Sequence, residues 1–255
     1  MFIVQLFNIL SVYAIWIAFM SFFWVALLCR LSATPYSWPA GIILFLITFA
    51  IYAFDHAGGS QEDLLNNPAR AALAKQPIKQ LAVLAYLAAI VLVRIWDIGK
   101  LFAVVVPGIA GAIYTMRIDG IRLKDMPGMK TLIVATSTAI SRAGLIGGPI
   151  RLYGLVFLIM IIDTVLCDLR DMNGDAVEGV RTVPVLLGRG CTLLILAAIN
   201  GFVFLFSPVI AVFGVFLIIY FRKERHSLSY DLLVDGWMMW VYLFELSKIS
   251  FLQLH

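Results

Sequence analysis

The chain has 255 residues, of which 62% are hydrophobic and only 13% are charged, and its formal net charge is +4 at pH 7. A typical soluble domain is about half apolar and about a quarter charged. This composition excludes a water-soluble enzyme, a disordered chain and a nucleic-acid-binding protein, and it indicates one integral membrane domain over residues 1–255.

Apolar segments separated by short polar connections follow one another along the chain. Because a helix of about 20 residues crosses a bilayer, we predict an all-α, multi-pass bundle of about nine transmembrane helices. Several of these segments are short, so we expect some helices to continue into the polar connections. The predicted spans are Phe2–Leu28, Pro39–Phe54, Ile78–Val93, Gly99–Tyr114, Thr131–Ile146, Ile150–Leu166, Thr192–Phe206, Pro208–Phe221 and Leu232–Phe251.

The basic residues predict the orientation of this bundle. Of the 19 Lys and Arg residues, 13 lie in the connections after the second, fourth, sixth and eighth spans or, for Lys79, at the edge of the next span. Cytoplasmic loops of membrane proteins carry the excess of Lys and Arg. We therefore expect these connections, and the acidic clusters that two of them contain, to lie at the cytoplasmic face.

An acidic cluster follows the sixth span, where Asp168, Asp171 and Asp175 are spaced by three and four residues. On a helix these offsets place the three carboxylates within about 60° of one another. Like charges this close repel, whereas a hard divalent cation such as Mg²⁺ binds carboxylate oxygens and substrate phosphates. The cluster predicts a metal site, and the alternative is a solvated loop rich in charge.

A second acidic segment follows the second span and contains Asp55, His56, Glu62 and Asp63. Gly58 and Gly59 permit a bend that could bring Asp55 towards Asp63. Arg70 offers a cationic fork that suits phosphate oxygens. The alternatives are a capped helix end with a polar loop and, for His56, an ordinary polar contact rather than metal ligation.

A third polar segment, between the fourth and fifth spans, carries several cations on the same predicted face as the acidic clusters. Lys124 is its best candidate for binding a polyanion, and the alternative is that these cations only set the topology. Metals between two acidic helix ends, with cations around them, suit a ligand with a diphosphate head and a hydrocarbon tail. Such metals would also stabilise the charge that develops as diphosphate leaves.

At these residues the chain resembles the UbiA superfamily of intramembrane prenyltransferases. Asp168, Asp171 and Asp175, followed by Gly179 and the segment Arg181-Thr-Val-Pro184, are similar to the second aspartate motif of the family. The segment from Tyr114 to Lys124 is similar to the family's Tyr-Ser…Leu-Lys loop, whose lysine binds diphosphate. The resemblance covers nearly the whole chain and implies a nine-helix fold.

The first acidic segment departs from the family pattern, which is Asn-Asp-x-x-Asp-x-x-x-Asp followed by Asn-x-Pro-x-Arg. Asp63, Asn66, Pro68 and Arg70 match its later part. Asp55 stands at the position of the Asn, His56 at that of the first Asp, and Gly59 at that of the middle Asp. One of the metal sites is therefore expected to have fewer ligands or a different arrangement of ligands.

The resemblance implies a Mg²⁺-dependent prenyltransferase that transfers the isoprenyl group of an isoprenyl diphosphate to a lipid-soluble or aromatic acceptor, as in quinone or other isoprenoid lipid synthesis. We expect the predicted metal ligands to act with cations and polar groups that bind substrate. The metal ligands are Asp55, Asp63, Asp168, Asp171 and Asp175, the last three also being catalytic, and the substrate-binding residues are Arg70, Lys124, Tyr114, Arg181 and Asn67.

Three other functions compete with this prediction. A non-catalytic family member that binds lipid would explain the altered first motif. A CDP-alcohol phosphatidyltransferase also binds Mg²⁺ through carboxylates. Its sequence pattern requires a glycine directly after the aspartate, but in this chain Asp171 is followed by Met172. A cation transporter should place carboxylates at successive depths, yet only Asp163 is positioned to lie deeper than the clusters.

Overall fold

The computed structural model describes residues 6, 9–11, 13–57, 77–118 and 121–253. Ten helices account for most of this part of the chain. They are α1 (Ile15–Leu31), α2 (Trp38–His56), α3 (Ile78–Trp96), α4 (Phe102–Thr115), α5 (Met129–Ile146), α6 (Ile150–Glu178), α7 (Val183–Phe206), α8 (Pro208–Tyr220), α9 (Ser227–Leu233) and α10 (Trp237–Gln253). Between α4 and α5, β1 (Arg117–Ile118) and β2 (Ile121–Arg122) form a short antiparallel pair.

The predicted all-α architecture is confirmed, and the nine helices other than α9 overlap the nine predicted spans. On length and hydropathy, α2, α3, α6 and α7 are each able to cross a membrane, and shorter apolar helices accompany them. The chain is therefore an integral membrane protein. The number of membrane crossings stays a prediction.

Several helix ends differ from the predicted spans for local backbone reasons. The first span was expected to begin at Phe2. Among the described residues before α1, residues 9–11 are helical, but the left-handed conformation of Ala14, at φ 60°, interrupts the helix before α1 begins at Ile15. The helix α6 continues 12 residues beyond the predicted end at Leu166 and stops at Gly179, which is left-handed at φ 77°. The glycine allows the Val180 N–H to bond the Asp175 carbonyl at 2.8 Å, which closes the helix end.

The seventh and last spans also differ from the prediction. The helix α7 begins at Val183 rather than Thr192, but Gly188 interrupts it with non-helical backbone angles. The last predicted span is split, since α9 ends at Leu233 and α10 begins at Trp237.

The helices pack around α6, which is the most buried of the four long apolar helices. It packs against α5 and α7, while α2 packs against α1 and α3, and α4 packs against α5. The buried face of α3 presents small residues at helical spacing, Ala82, Ala85 and Ala89, which allow a close approach to α2. The opposite face of α3 exposes Leu81 and Leu84, as expected for a surface in contact with lipid. The resulting bundle leaves a space between α2 and α6.

Candidate functional site

A cavity of about 440 Å³ lies among helices α2 to α6 and also contacts α1. The carboxyl-terminal end of α2 contributes Asp55 and His56 to its wall, and α6 contributes Asp168 and Asp171. Both acidic segments were expected at one end of the bundle. The described residues of the two segments line the same cavity.

A partly buried lysine lies between two aspartates of the α6 motif. The Nζ atom of Lys130, in the first turn of α5, is 2.8 Å from Oδ1 of Asp168 and 3.4 Å from Oδ2 of Asp175. The side chains of Asp168 and Asp175 are 1% and 0% exposed. A buried carboxylate is stable as an ion only when an opposite charge or hydrogen bonds compensate for lost water. Lys130 therefore provides a positive charge inside the aspartate motif.

The third aspartate of the motif is held by a neighbouring arginine. The guanidinium of Arg170 donates from Nε and Nη2 to the two carboxylate oxygens of Asp171, each at 2.8 Å. Its Nη1 donates to Oδ1 of Asp231 on α9 at 3.0 Å, and Ser11 Oγ donates to Oδ2 of the same carboxylate at 2.6 Å. This bidentate geometry fixes the orientation of Asp171 and joins α9 to the motif.

Carboxylate oxygens are suitable ligands for Mg²⁺, but the described side chains do not form a site that would coordinate a metal ion without substrate. Among the described residues, no three His, Cys, Asp or Glu side chains are close enough to hold a metal ion together. Lys130 and Arg170 lie against the carboxylates instead. Since Mg²⁺ commonly binds one or two carboxylates and completes its coordination with substrate phosphates and water, Asp55, Asp168 and Asp171 fit a magnesium–diphosphate ligand.

The remaining predicted site residues lie in different places. Tyr114, at the end of α4, lines the cavity. Asp175 is buried beside Lys130 and is not among the lining residues, and Arg181 is exposed in the connection from α6 to α7. Lys124 lies in a 3₁₀ turn, Leu123–Asp125, and only the backbone of Lys124 is described. The predicted residues Asp63, Asn67 and Arg70 lie outside the described residues.

One face of α5 forms a polar wall along the cavity. Its lining residues recur at helical spacing, and most of them are polar or charged: Lys130, Ile133, Val134, Ser137, Thr138, Ser141 and Arg142. The facing residues on α6 include Asp163 and Thr164, which lie deeper than Asp168. Sequence reasoning treated Arg142 and Arg170 only as cations that set topology, and Lys130 as one of the cations of the third polar segment that could bind a polyanion. The period of polar residues in α5 was the signal that could have identified this wall.

The opposite wall of the cavity is apolar. It consists mainly of small and aliphatic residues from α3 and α4: Ala82, Val83, Leu87, Pro107, Gly108, Gly111 and Ala112. The hydroxyl of Tyr86 donates to the Val104 carbonyl at 2.6 Å, which satisfies its polar end. A ligand with both a hydrocarbon part and polar groups therefore matches this cavity.

Two curated proteins resemble part of the chain, and no family model matches it. A digeranylgeranylglyceryl phosphate synthase from Thermococcus kodakarensis is 31% identical over 169 residues, which cover 58% of this chain and 57% of that protein. A protein of the same name from Natronomonas pharaonis is 25% identical over 166 residues, covering 60% and 58%. The chain thus matches less than two thirds of the length of either relative.

A solved structure shares the overall fold. It is a UbiA homologue from Archaeoglobus fulgidus bound to GPP and Mg²⁺, with a TM-score of 0.60 and 16% sequence identity, and the match covers 92% of this chain and 96% of that one. At this identity the likeness concerns the fold alone. Together with the curated relatives, it confirms the resemblance to the UbiA superfamily and shows that this chain has the UbiA fold.

Proposed function

We propose that the chain is a Mg²⁺-dependent prenyltransferase that moves an isoprenyl group from an isoprenyl diphosphate to a lipid-soluble acceptor. The observation that carries this proposal is one cavity with carboxylates from α2 and α6 at one end and an apolar wall from α3 and α4. A diphosphate head bound with Mg²⁺ matches the first part, and a hydrocarbon tail matches the second.

The chain's own residues have distinct tasks in this reaction. Asp55, Asp168 and Asp171 would hold Mg²⁺, which when bound supplies positive charge to the diphosphate. Asp63, Asp175 and the predicted binding residues Arg70, Asn67, Lys124 and Arg181 remain proposed participants. Arg170 keeps the Asp171 carboxylate in place, and Lys130 limits repulsion between the motif and the incoming diphosphate.

The transfer breaks the bond between C1 of the prenyl group and the diphosphate oxygen, and the electron pair leaves with diphosphate. The allylic cation that remains is delocalised, and the faces of Tyr52 and Tyr86, which line the cavity, can stabilise it. An electron pair of the acceptor then forms the new bond to C1. The proton that the acceptor loses passes to the released diphosphate, so charge and atoms balance.

The names of the relatives support an isoprenoid reaction. The two curated relatives are synthases of a digeranylgeranylglyceryl phosphate, and the Archaeoglobus homologue was solved with GPP and Mg²⁺. They support the donor class more directly than the acceptor, for which an aromatic compound and a glyceryl phosphate lipid are both candidates. The distribution of Lys and Arg supports a cytosolic position for the acidic end of the cavity.

Diphosphate release by purified protein in lipid nanodiscs tests the proposal. Dimethylallyl, geranyl and geranylgeranyl diphosphates are offered with Mg²⁺ or with a chelator, together with phenolic and alkylglyceryl phosphate acceptors. Release should require Mg²⁺ and should be lost in Asp168→Asn. Asp97→Asn is the matched control, because Asp97 is an exposed carboxylate between α3 and α4 that does not line the cavity.

Two results would contradict the proposal. Release that persists in Asp168→Asn would remove the α6 motif from the reaction. Binding of a prenyl diphosphate without release, whichever acceptor is present, would favour the alternative of a non-catalytic lipid-binding protein.

A further inference from the structure

The deep part of the cavity contains a charged group that a hydrocarbon tail does not require. Arg142 lies on the polar wall of α5, 12 residues after Lys130, which is about 18 Å along the helix. It is 6% exposed, and it lines the same cavity as Lys130. A charged side chain this deep in a membrane bundle is costly unless it has a function or a partner.

Arg142 is positioned by packing, and its hydrogen bonds to the described residues are incomplete. Its guanidinium carbon lies 4.0 Å from the centre of the Trp24 ring, and its Nη1 contacts Met160 Sδ at 2.9 Å. Its buried Nε has no hydrogen-bond partner among the described residues, and neither has Oγ of Ser141, the preceding residue. Two neighbouring polar groups in the cavity wall are therefore left to bond a ligand after a small side-chain shift.

The charges around Arg142 indicate which kind of ligand fits. Asp163 on α6 and Asp235, before α10, are the carboxylates within electrostatic reach of the guanidinium, and both line the cavity. Arg170 also acts on Asp163, but it is already paired with Asp171 and Asp231. This deep group therefore has no excess positive charge for a phosphate or a carboxylate. It does offer hydrogen-bond donors beside acceptors, which suits a neutral hydroxyl or carbonyl group.

We propose that Arg142, Ser141 and Asp163 form the binding subsite for the acceptor, and that the acceptor carries a neutral hydroxyl or carbonyl oxygen, as a phenol, a quinol or a lipid alcohol does. This inference rests on the proposed function, since it assigns the second substrate of the same reaction. The prenyl tail then lies against the apolar wall of α3 and α4, and the acceptor lies against the polar wall of α5 and α6. The same subsite disfavours an alkylglyceryl phosphate.

Direct binding tests the subsite without relying on turnover. A radiolabelled naphthol, which carries one neutral hydroxyl, is bound to the full chain in nanodiscs, with unlabelled naphthol as competitor. Arg142→Met and Asp163→Asn should each weaken its binding by about tenfold, and Ser141→Ala by a smaller factor. Binding of geranyl diphosphate with Mg²⁺ should change by less than about twofold in each variant, which also shows that the variant is folded. Arg151→Met is the control, because Arg151 is exposed at the start of α6 and outside the cavity.

Other outcomes separate this inference from the proposed function. Unchanged naphthol binding in both Arg142→Met and Asp163→Asn would overturn the subsite. Tighter binding of an alkylglyceryl phosphate than of naphthol, with the same dependence on Arg142, would overturn the neutral acceptor. If the wild-type protein released no diphosphate but bound naphthol through Arg142, the subsite would stand and the transfer reaction would fail.

Discussion

Lys130 and Asp168 form an ion pair of 2.8 Å between the first turn of α5 and the aspartate motif of α6. The Asp168 side chain is 1% exposed and that of Lys130 is 15% exposed, and Asp175 shares the same ammonium group at 3.4 Å. The motif thus contains its own cation in addition to any metal that it binds. This arrangement reduces the repulsion among the three aspartates that their spacing on one helix face creates.

Replacing Lys130 by Met should destabilise the protein when Mg²⁺ is absent. Removing one partner of a buried ion pair leaves uncompensated charge, and we expect the free energy of unfolding to fall by about 3 kcal/mol. Millimolar Mg²⁺ should restore part of the loss, because a divalent cation can then lie near Asp168 and Asp175. Thermal unfolding in detergent, with and without Mg²⁺, measures both effects.

Lys223→Met provides the control for this experiment, since Lys223 is exposed after α8. Lys130→Arg should retain most of the stability because it keeps the charge. Equal unfolding temperatures for Lys130→Met and Lys223→Met would show that the buried pair contributes nothing.

Arg170→Met should impair the positioning of Asp171. Without the two hydrogen bonds of 2.8 Å, the carboxylate can adopt other orientations, so we expect the KM for the prenyl diphosphate to rise by about tenfold. Asp231→Asn should have a smaller effect, because it weakens the support of Arg170 but leaves the hydrogen bonds between Arg170 and Asp171 in place. Steady-state kinetics across a range of Mg²⁺ concentrations measure these changes.

The double variant Arg170→Met/Asp231→Asn distinguishes positioning from independent roles. If Asp231 acts through Arg170, the second substitution should add almost nothing to the first. Additive losses would indicate that Asp231 acts separately from Arg170.

Much of the fold could be predicted from the sequence because a long apolar segment in a bilayer must satisfy its backbone hydrogen bonds internally, which favours a helix. The polar segments after the second and sixth spans also indicated that Asp55 and Asp168 lie at one end of the bundle. The roles of Lys130 and Arg170 could not be predicted in this way. A cation near a helix end satisfies the positive-inside rule wherever its side chain points, and only packing shows that these two contact the motif.

Arg142 illustrates a different limit of sequence reasoning. The sequence places it within the predicted span Thr131–Ile146, near the end that lies at the opposite membrane face. In the structure its side chain is buried within the bundle and reaches Met160. A long amphipathic side chain can extend several ångströms from its backbone position, so the depth of its charge does not follow from the span boundary.

The orientation of the bundle gives a prediction that does not depend on catalysis. In a background without native cysteines, Lys223→Cys should react with a membrane-impermeant maleimide only from the cytosolic side. Arg151→Cys, at the start of α6, should react only from the opposite side, because three predicted spans, an odd number, lie between this end of α6 and Lys223. Labelling of intact cells and of inverted vesicles distinguishes these outcomes, and the reverse pattern would place the acidic end of the cavity outside.

Gly108→Ala should shift the protein towards shorter prenyl donors. A Cβ atom at this position on α4 would collide with the hydroxyl end of Tyr86. The ring would then lose its hydrogen bond to the Val104 carbonyl and move into the cavity that both residues line. We expect kcat/KM for geranylgeranyl diphosphate to fall by about tenfold relative to dimethylallyl diphosphate.

Two further variants show whether Tyr86 causes the shift. Tyr86→Ala in the Gly108→Ala background removes the hydroxyl and the ring carbon that collide with the added Cβ, and it should restore use of geranylgeranyl diphosphate. Gly201→Ala on α7 is the control, because no atom lies within 4 Å of the added Cβ. A Gly108→Ala protein with the wild-type preference among donors would show that the prenyl tail does not lie against this part of the apolar wall.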